Sequence, residues 1–161
     1  MHRRVMALLV CVLLLLGGCE VAEPLTPESE VAVPKDAVYN SLEALSEGMG
    51  YTVISLFTLP MGYREVEYAC RDGAAVIGYR HSGSGDVIAF YMVDTDTEFT
   101  LPDGDYETVF THLRDGVEIP ALGIGELVFL ADWRVGDYRY RIVSETGIDP
   151  AIFRMMLEDI A

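Results

Sequence analysis

The sequence predicts an α+β domain: an antiparallel sheet of about seven strands, with a short N-terminal helix and a C-terminal helix packed on it. Three observations lead there. From residue 64 onward, short runs rich in Val, Ile, Tyr and Phe are separated by Gly- and Asp-bearing turn signals at regular spacing, as in an antiparallel sheet. Apolar residues recur at helical spacing at Val38, Leu42, Leu45 and Met49, and again at Ile152, Phe153, Met156, Leu157 and Ile160. The chain has 161 residues, 51% of them hydrophobic, which is enough for one core and too apolar for a disordered chain.

The chain opens with Met1-His2-Arg3-Arg4, continues with the uncharged run Val5–Leu16 and closes it with Gly17-Gly18-Cys19. A basic start, a short apolar core and small residues at its end form the layout of a secretory signal, here residues 1–18. Twelve apolar residues are too few to span a bilayer, which takes about 20. Residues 20–35 hold three Pro and four Glu and no aromatic, the composition of an extended spacer. With Cys19 they form a tether over residues 19–35, and the globular domain occupies 36–161.

A short amphipathic helix is predicted over about Asp36 to Glu47, stopped by Gly48 and Gly50. A strand, Tyr51–Phe57, follows, and Leu59-Pro60-Met61-Gly62-Tyr63 is a turn. Strand Arg64–Arg71 places Val66, Tyr68 and Cys70 on one face and Glu65 and Glu67 on the other. Arg71-Asp72-Gly73 is a hairpin turn into Ala74–His81, and Ser82-Gly83-Ser84-Gly85 leads to Val87–Val93. That strand is apolar on both faces and reads as central. Tyr106–Leu113 turns at Arg114-Asp115-Gly116 into Val117–Leu122, where Pro120 favours an edge or a bulge. Glu126–Trp133 pairs across Arg134-Val135-Gly136-Asp137 with Tyr138–Ser144, in which Tyr138, Tyr140 and Ile142 alternate with Arg139 and Arg141. Asp149 as N-cap and Pro150 at the first helical position start the closing helix.

Leu16-Gly17-Gly18-Cys19 resembles the lipobox of prokaryotic lipoproteins. The resemblance implies that the signal is cut before Cys19, whose thiol then carries a diacylglyceryl group. Two or more acyl chains hold a protein on a membrane stably, whereas one does not. Position 20 is Glu rather than the Asp of an inner-membrane retention signal, so either a cell membrane or an outer membrane is open as destination, with the domain on the extracytoplasmic side. The turn Leu59-Pro60-Met61-Gly62-Tyr63, the Trp133 hairpin with Tyr138-x-Tyr140, and the closing helix resemble an uncharacterised prokaryotic domain found in extracytoplasmic lipoproteins and proteins associated with anti-sigma factors. A more distant likeness is to lipoprotein carriers, whose curved sheet and helices enclose acyl chains.

Charge narrows the partners. The chain has 26 acids against 11 Lys and Arg, a net charge of −15, and a single Lys, Lys35. Loss of residues 1–18 would remove two bases and no acid, leaving −17. Nucleic acid is therefore not an expected partner, because phosphate affinity needs clustered cations. Of three Cys, Cys11 leaves with the signal and Cys19 takes lipid, so Cys70 remains, expected as a small buried hydrophobe rather than a reactive thiol.

No catalytic residue, cofactor or metal site is expected. The acidic loop Asp94–Asp105 offers alternating carboxylates that could ligate Ca²⁺, but the twelve-residue calcium loop needs Gly at its sixth position, where Phe99 stands, and Pro102 interrupts it. It reads as a solvated loop. Ser82 and Ser84, beside His81, lack the flanking glycines of a nucleophile elbow. His81 and His112 are too far apart in sequence for the usual zinc spacing, and each reads as a strand end. The expected function is a membrane-anchored, non-catalytic module that binds a protein partner or an apolar ligand. The alternative is a carrier or envelope sensor enclosing an apolar ligand, and an enzyme ranks last.

Cys19→Ser is expected to leave an unlipidated precursor, read by the N-terminal mass and by fractionation. A variant that is processed and membrane-held like wild type would contradict the lipobox.

Overall fold

The computed structural model describes residues 36–94, 104–158 and 160. Eight strands form one antiparallel sheet: β1 (Asp36–Tyr39), β2 (Tyr63–Arg71), β3 (Ala74–His81), β4 (Val87–Asp94), β5 (Glu107–Arg114), β6 (Val117–Ile124), β7 (Leu127–Val135) and β8 (Tyr138–Ile148). Two helices accompany them, α1 (Leu42–Met49) and α2 (Pro150–Glu158). The strand order is β1-β2-β3-β4-β8-β7-β6-β5. Two four-stranded meanders are thus joined side by side along β4 and β8. The chain leaves the sheet's centre at β4, re-enters at the far edge as β5, and returns to the centre as β8.

The α+β class is as expected, with eight strands instead of about seven. Two N-terminal segments differ. Asp36–Tyr39 is a strand, not the first turn of a helix, because its backbone pairs with β2 from Asp36 opposite Arg71 to Tyr39 opposite Tyr68. The helix starts after Ser41, whose extended backbone interrupts the helical path and whose Oγ accepts the Ala44 N–H at 3.2 Å. Tyr51–Phe57 is irregular rather than a strand. Its backbone groups are met by side chains: Val53 N–H donates to Ser46 Oγ at 3.0 Å, and Leu56 N–H donates to Tyr79 Oη at 2.8 Å. Val53 and Leu56 are buried all the same, so the segment lies on the sheet as part of the core.

The other strands follow the predicted punctuation. Both Arg-Asp-Gly turns put two consecutive residues at positive φ, Asp72 and Gly73, then Asp115 and Gly116. That is the geometry of a two-residue hairpin whose twist matches its strands. β2 departs from simple alternation: Glu65 faces Tyr79 and Glu67 faces Gly78, leaving Val66 as an extra residue. This bulge turns Val66 to the outer face, away from Tyr68 and Cys70. Pro120 lies in β6, one strand in from the edge, and β6 pairs with β7 only from Ala121 onward. A proline has no N–H to give to that ladder.

The inner face of the sheet carries the core. Ala75, Ile77 and Tyr79 of β3 lie beside Met92, Phe90 and Ile88 of β4, which continue into Tyr140 and Ile142 of β8. Leu45 and Met49 of α1 and Phe153, Met156 and Leu157 of α2 complete the same buried cluster. Asp149 caps α2 through Oδ1, accepting the Ala151 N–H at 2.8 Å. Trp133 stacks on Tyr140 at 5.6 Å between ring centres, and Tyr140 on Phe90 at 6.1 Å, so the Trp hairpin is fixed by an aromatic column.

Burial pushes the Tyr79 and Tyr51 phenols above their ordinary value of 10. The unfolded chain ionises first as pH rises, so the stability from burying them neutral is complete below about pH 10 and declines above it. Tyr79→Phe removes the acceptor of a buried N–H and should cost about 1–3 kcal/mol at neutral pH. The same variant should flatten the loss between pH 10 and 12. Urea unfolding followed by Trp133 fluorescence measures both.

Candidate functional site

Cys19 lies outside the described residues, as do residues 95–103 of the acidic loop, with Asp94 closing β4 and Asp105 following Gly104. Among the described residues, no group of three or more His, Cys, Asp or Glu side chains is placed to hold a metal ion. Cys70 sits in β2 opposite Ala75 and is buried, and that burial pushes its thiol up, away from the reactive thiolate. His81 ends β3, whereas His112 lies within β5 opposite Ile119, because β5 runs on to Arg114.

The turn after β3 brings His81, Ser84 and Asp86 together at the surface. Ser84 N–H donates to His81 Nδ1 at 2.9 Å, and Ser84 Oγ lies 2.9 Å from the same nitrogen. Ser84 Oγ donates to Asp86 Oδ2 at 2.6 Å. In a catalytic triad the imidazole stands between hydroxyl and carboxylate, taking the proton of one while oriented by the other. Here the hydroxyl stands in the middle and its proton goes to Asp86, so the bonds close a turn.

That turn also explains the Pro-x-Gly-Tyr motif. Gly62 has φ +90°, and a Cβ there would fall 2.4 Å from His81 Nε2. Ser82 N–H donates to the Gly62 carbonyl at 2.9 Å, and the Tyr63 and His81 rings meet at 5.2 Å. Gly62 is therefore the residue that lets the 59–63 turn seat on the end of β3.

The outer face holds an open groove. It measures about 580 Å³ and opens over β1, β2 and β3. Val38, Val66 and Val87 supply apolar walls, Gly78 the floor, and Arg80 and Glu67 the charge. A Cβ on Gly78 would lie 3.1 Å from the Glu67 Cβ, so glycine keeps the floor low. Val38 is 74% exposed. Glu67 pairs with Arg71, four residues on in the same strand, and the Tyr68 hydroxyl donates to Glu65. The Glu65 hydrogen bond, followed by burial, pushes the Tyr68 phenol up to about 12.

Farther along the outer face, Asp132 of β7 gathers two arginines of β8. Arg139 donates through Nε and Nη2 at 2.7 and 3.1 Å, and Arg141 through Nε at 2.9 Å. Arg141 is only 4% exposed. The alternation predicted for β8 holds, but its arginine side is not a solvent face at Arg141. A carboxylate bridging two guanidiniums is a structural clasp across the β7–β8 hairpin, and it offsets part of the charge buried at Arg141.

Sequence reasoning missed the groove because its walls come from an unforeseen strand, a bulge and a glycine floor. Gly78 inside a strand pattern was the one available signal, since such a glycine marks a bulge or a close approach. Compared with family models, curated proteins and solved structures, the chain finds no match in any of the three.

Proposed function

We propose that this chain is a lipid-anchored extracytoplasmic module that binds a protein segment on its outer face and performs no catalysis. The anchor is Cys19, and the membrane is the cell membrane or an outer membrane. The observation that carries the proposal is the contrast between the two sides of the sheet. The inner side is filled: Leu45, Phe90, Phe153, Met156 and Leu157 are all fully buried in one cluster. The outer side has an open groove that mixes apolar walls with charge, the surface character of a protein contact. The excess of acids favours a segment carrying apolar and basic residues and disfavours nucleic acid.

A carrier would need the space between sheet and helices for an acyl chain. The recess beside Val117, Ile119, Trp133, Val135 and Ile160 measures about 120 Å³. Ligand pockets run to about 300–1,000 Å³. Kinship with the uncharacterised lipoprotein domain belongs to the same proposal. Its support is that both motifs behind the resemblance have structural duties, Gly62 under His81 and Trp133 on Tyr140.

Native mass spectrometry of the lipidated chain is the test. The expected mass is the chain plus acyl groups on Cys19 and nothing more. A further lipid that dissociates on activation would overturn the protein-binding reading in favour of a carrier.

A further inference from the structure

His81 holds two loops together at one end of the sheet. Its strand partner is Tyr63, and the edge of its ring lies against Gly62. The 82–86 turn closes on it from the other side. The His81 N–H donates to the Asp86 carbonyl at 2.9 Å, and the Gly85 N–H donates to the His81 carbonyl at 3.0 Å. The two loops are tied to each other by the Ser82 N–H, which donates to the Gly62 carbonyl. Met61, 94% exposed, stands at the tip of the first loop, while Leu59 and Tyr63 on its flanks pack on the core. The imidazole is therefore the piece against which the exposed parts of both loops are set.

That imidazole serves as a hydrogen-bond acceptor. The Ser84 N–H points at Nδ1, so Nδ1 carries a lone pair and the proton of the neutral ring sits on Nε2. Ser84 Oγ, 2.9 Å from the same nitrogen, gives its own proton to Asp86 Oδ2. A charged imidazole has no acceptor left, because both nitrogens donate. A proton taken from water onto Nδ1 would face the Ser84 N–H, donor against donor. The new Nδ1–H has Ser84 Oγ within reach, and the hydroxyl can accept it while still donating to Asp86. Charging therefore exchanges a bond from the backbone for a chain from ring to hydroxyl to carboxylate, and the Ser84 amide is the group that loses its partner. Ser84 lies between Gly83 and Gly85, with Gly85 at φ +83°, so its peptide groups can turn away with little steric resistance.

Two titratable groups face the ring among the described residues. Asp86 does so from its own turn, through Ser84. Tyr63 does so from β2, with its ring centre 5.2 Å away. Burial, followed by the Asp86 charge, pushes the Tyr63 phenol up, so it stays neutral as the pH falls. β8 reaches Tyr63 through Thr146, which carries no charge. Arg80 precedes His81 in β3 and takes the other face, opposite Arg64.

We propose that His81 is an acid-operated latch: protonation of Nδ1 releases the Ser84 amide, opens the 82–85 turn and loosens the Met61–Gly62 tip bonded to it. The neutral ring keeps the latch shut. The latch involves neither the groove nor Cys19, so it stands or falls separately from the proposed binding role.

Nuclear magnetic resonance on the full chain tests it. Imidazoles change charge between about pH 8 and pH 5, and amide spectra are followed over that span. Long-range nitrogen–proton correlations report which ring nitrogen carries the proton. At the alkaline end the His81 proton is expected on Nε2 and the Ser84 amide proton downfield. As the ring charges, the Ser84 amide should move upfield, and the Met61, Gly62 and Ser82 amides should shift with the same midpoint. His81→Gln offers a side-chain carbonyl that can accept the Ser84 amide and does not titrate, so the response should vanish. Ser84→Ala keeps the amide and removes the hydroxyl, so the response at position 84 should remain. A Ser84 amide that stays put while the ring charges overturns the proposal. So does a neutral ring with its proton on Nδ1, a ring that never charges in this span, or a response that survives His81→Gln. Unchanged Trp133 fluorescence reports that the variants are folded, and the wild-type titration is decisive without them.

Discussion

The pairing of β4 with β8 is the constraint on which the rest of the structure depends. It runs from Ile88 opposite Ser144 to Asp94 opposite Tyr138 and is the only strand pairing that joins the two meanders among the described residues. Its register decides both faces at once. Phe90 beside Ile142 and Met92 beside Tyr140 feed the core under the helices. Tyr91 beside Arg141 and Val93 beside Arg139 put the arginines where Asp132 can clasp them. A slip of one residue would send the arginines into the core and the aromatics outward, so the register is strongly specified. β5, β6 and β7 lie between the two strands in sequence, so the pairing is a contact of long sequence separation, costly in loop closure and reliant on the apolar area it buries.

Given that seam, the sides of the sheet take different work. The inner side is closed by α1, α2 and the 51–62 segment, whose backbone is tied down by side chains from within the core. The outer side is clasped at β7–β8 and left open at β1–β3. The motifs that stand out in the sequence serve the closed side. Gly62 seats a turn on His81, and the Trp133–Tyr140–Phe90 column welds the hairpin to the central strand. The groove at Val38 and Val66 and the exposed side chains of Phe57 and Met61 belong to surfaces that the packing does not need.

Much of the fold was legible. The seven strands from Tyr63 onward were marked by alternation and by Gly- and Asp-bearing turns, and α2 by its Asp149 cap, its proline and its apolar stripe. The failures share a physical cause: local pattern says nothing about which distant partner satisfies the backbone. β1 has four residues with apolar positions that also fit a helix, and pairing with β2 decided against it. Tyr51–Phe57 has the composition of a strand, but hydroxyls of Ser46 and Tyr79 took the place of a neighbour. Val66 followed the alternation until a bulge displaced it, and Arg141 looked like a surface residue until Asp132 was found opposite it. The candidate site was less legible than the fold. Cys19 and most of the acidic loop lie outside the described residues, and two walls of the groove, Val38 and Val66, are residues that periodicity misplaced.

Amide hydrogen exchange on the full chain tests the central claim most directly. If the β4–β8 seam holds the two meanders as one body, the amides of Ala89–Val93 and Tyr140–Val143 exchange only through global unfolding, and together they are the slowest in the protein. If the seam amides exchange faster than those inside β2–β3 and β6–β7, so that each meander opens alone, the single sheet is not the cooperative unit and the account fails.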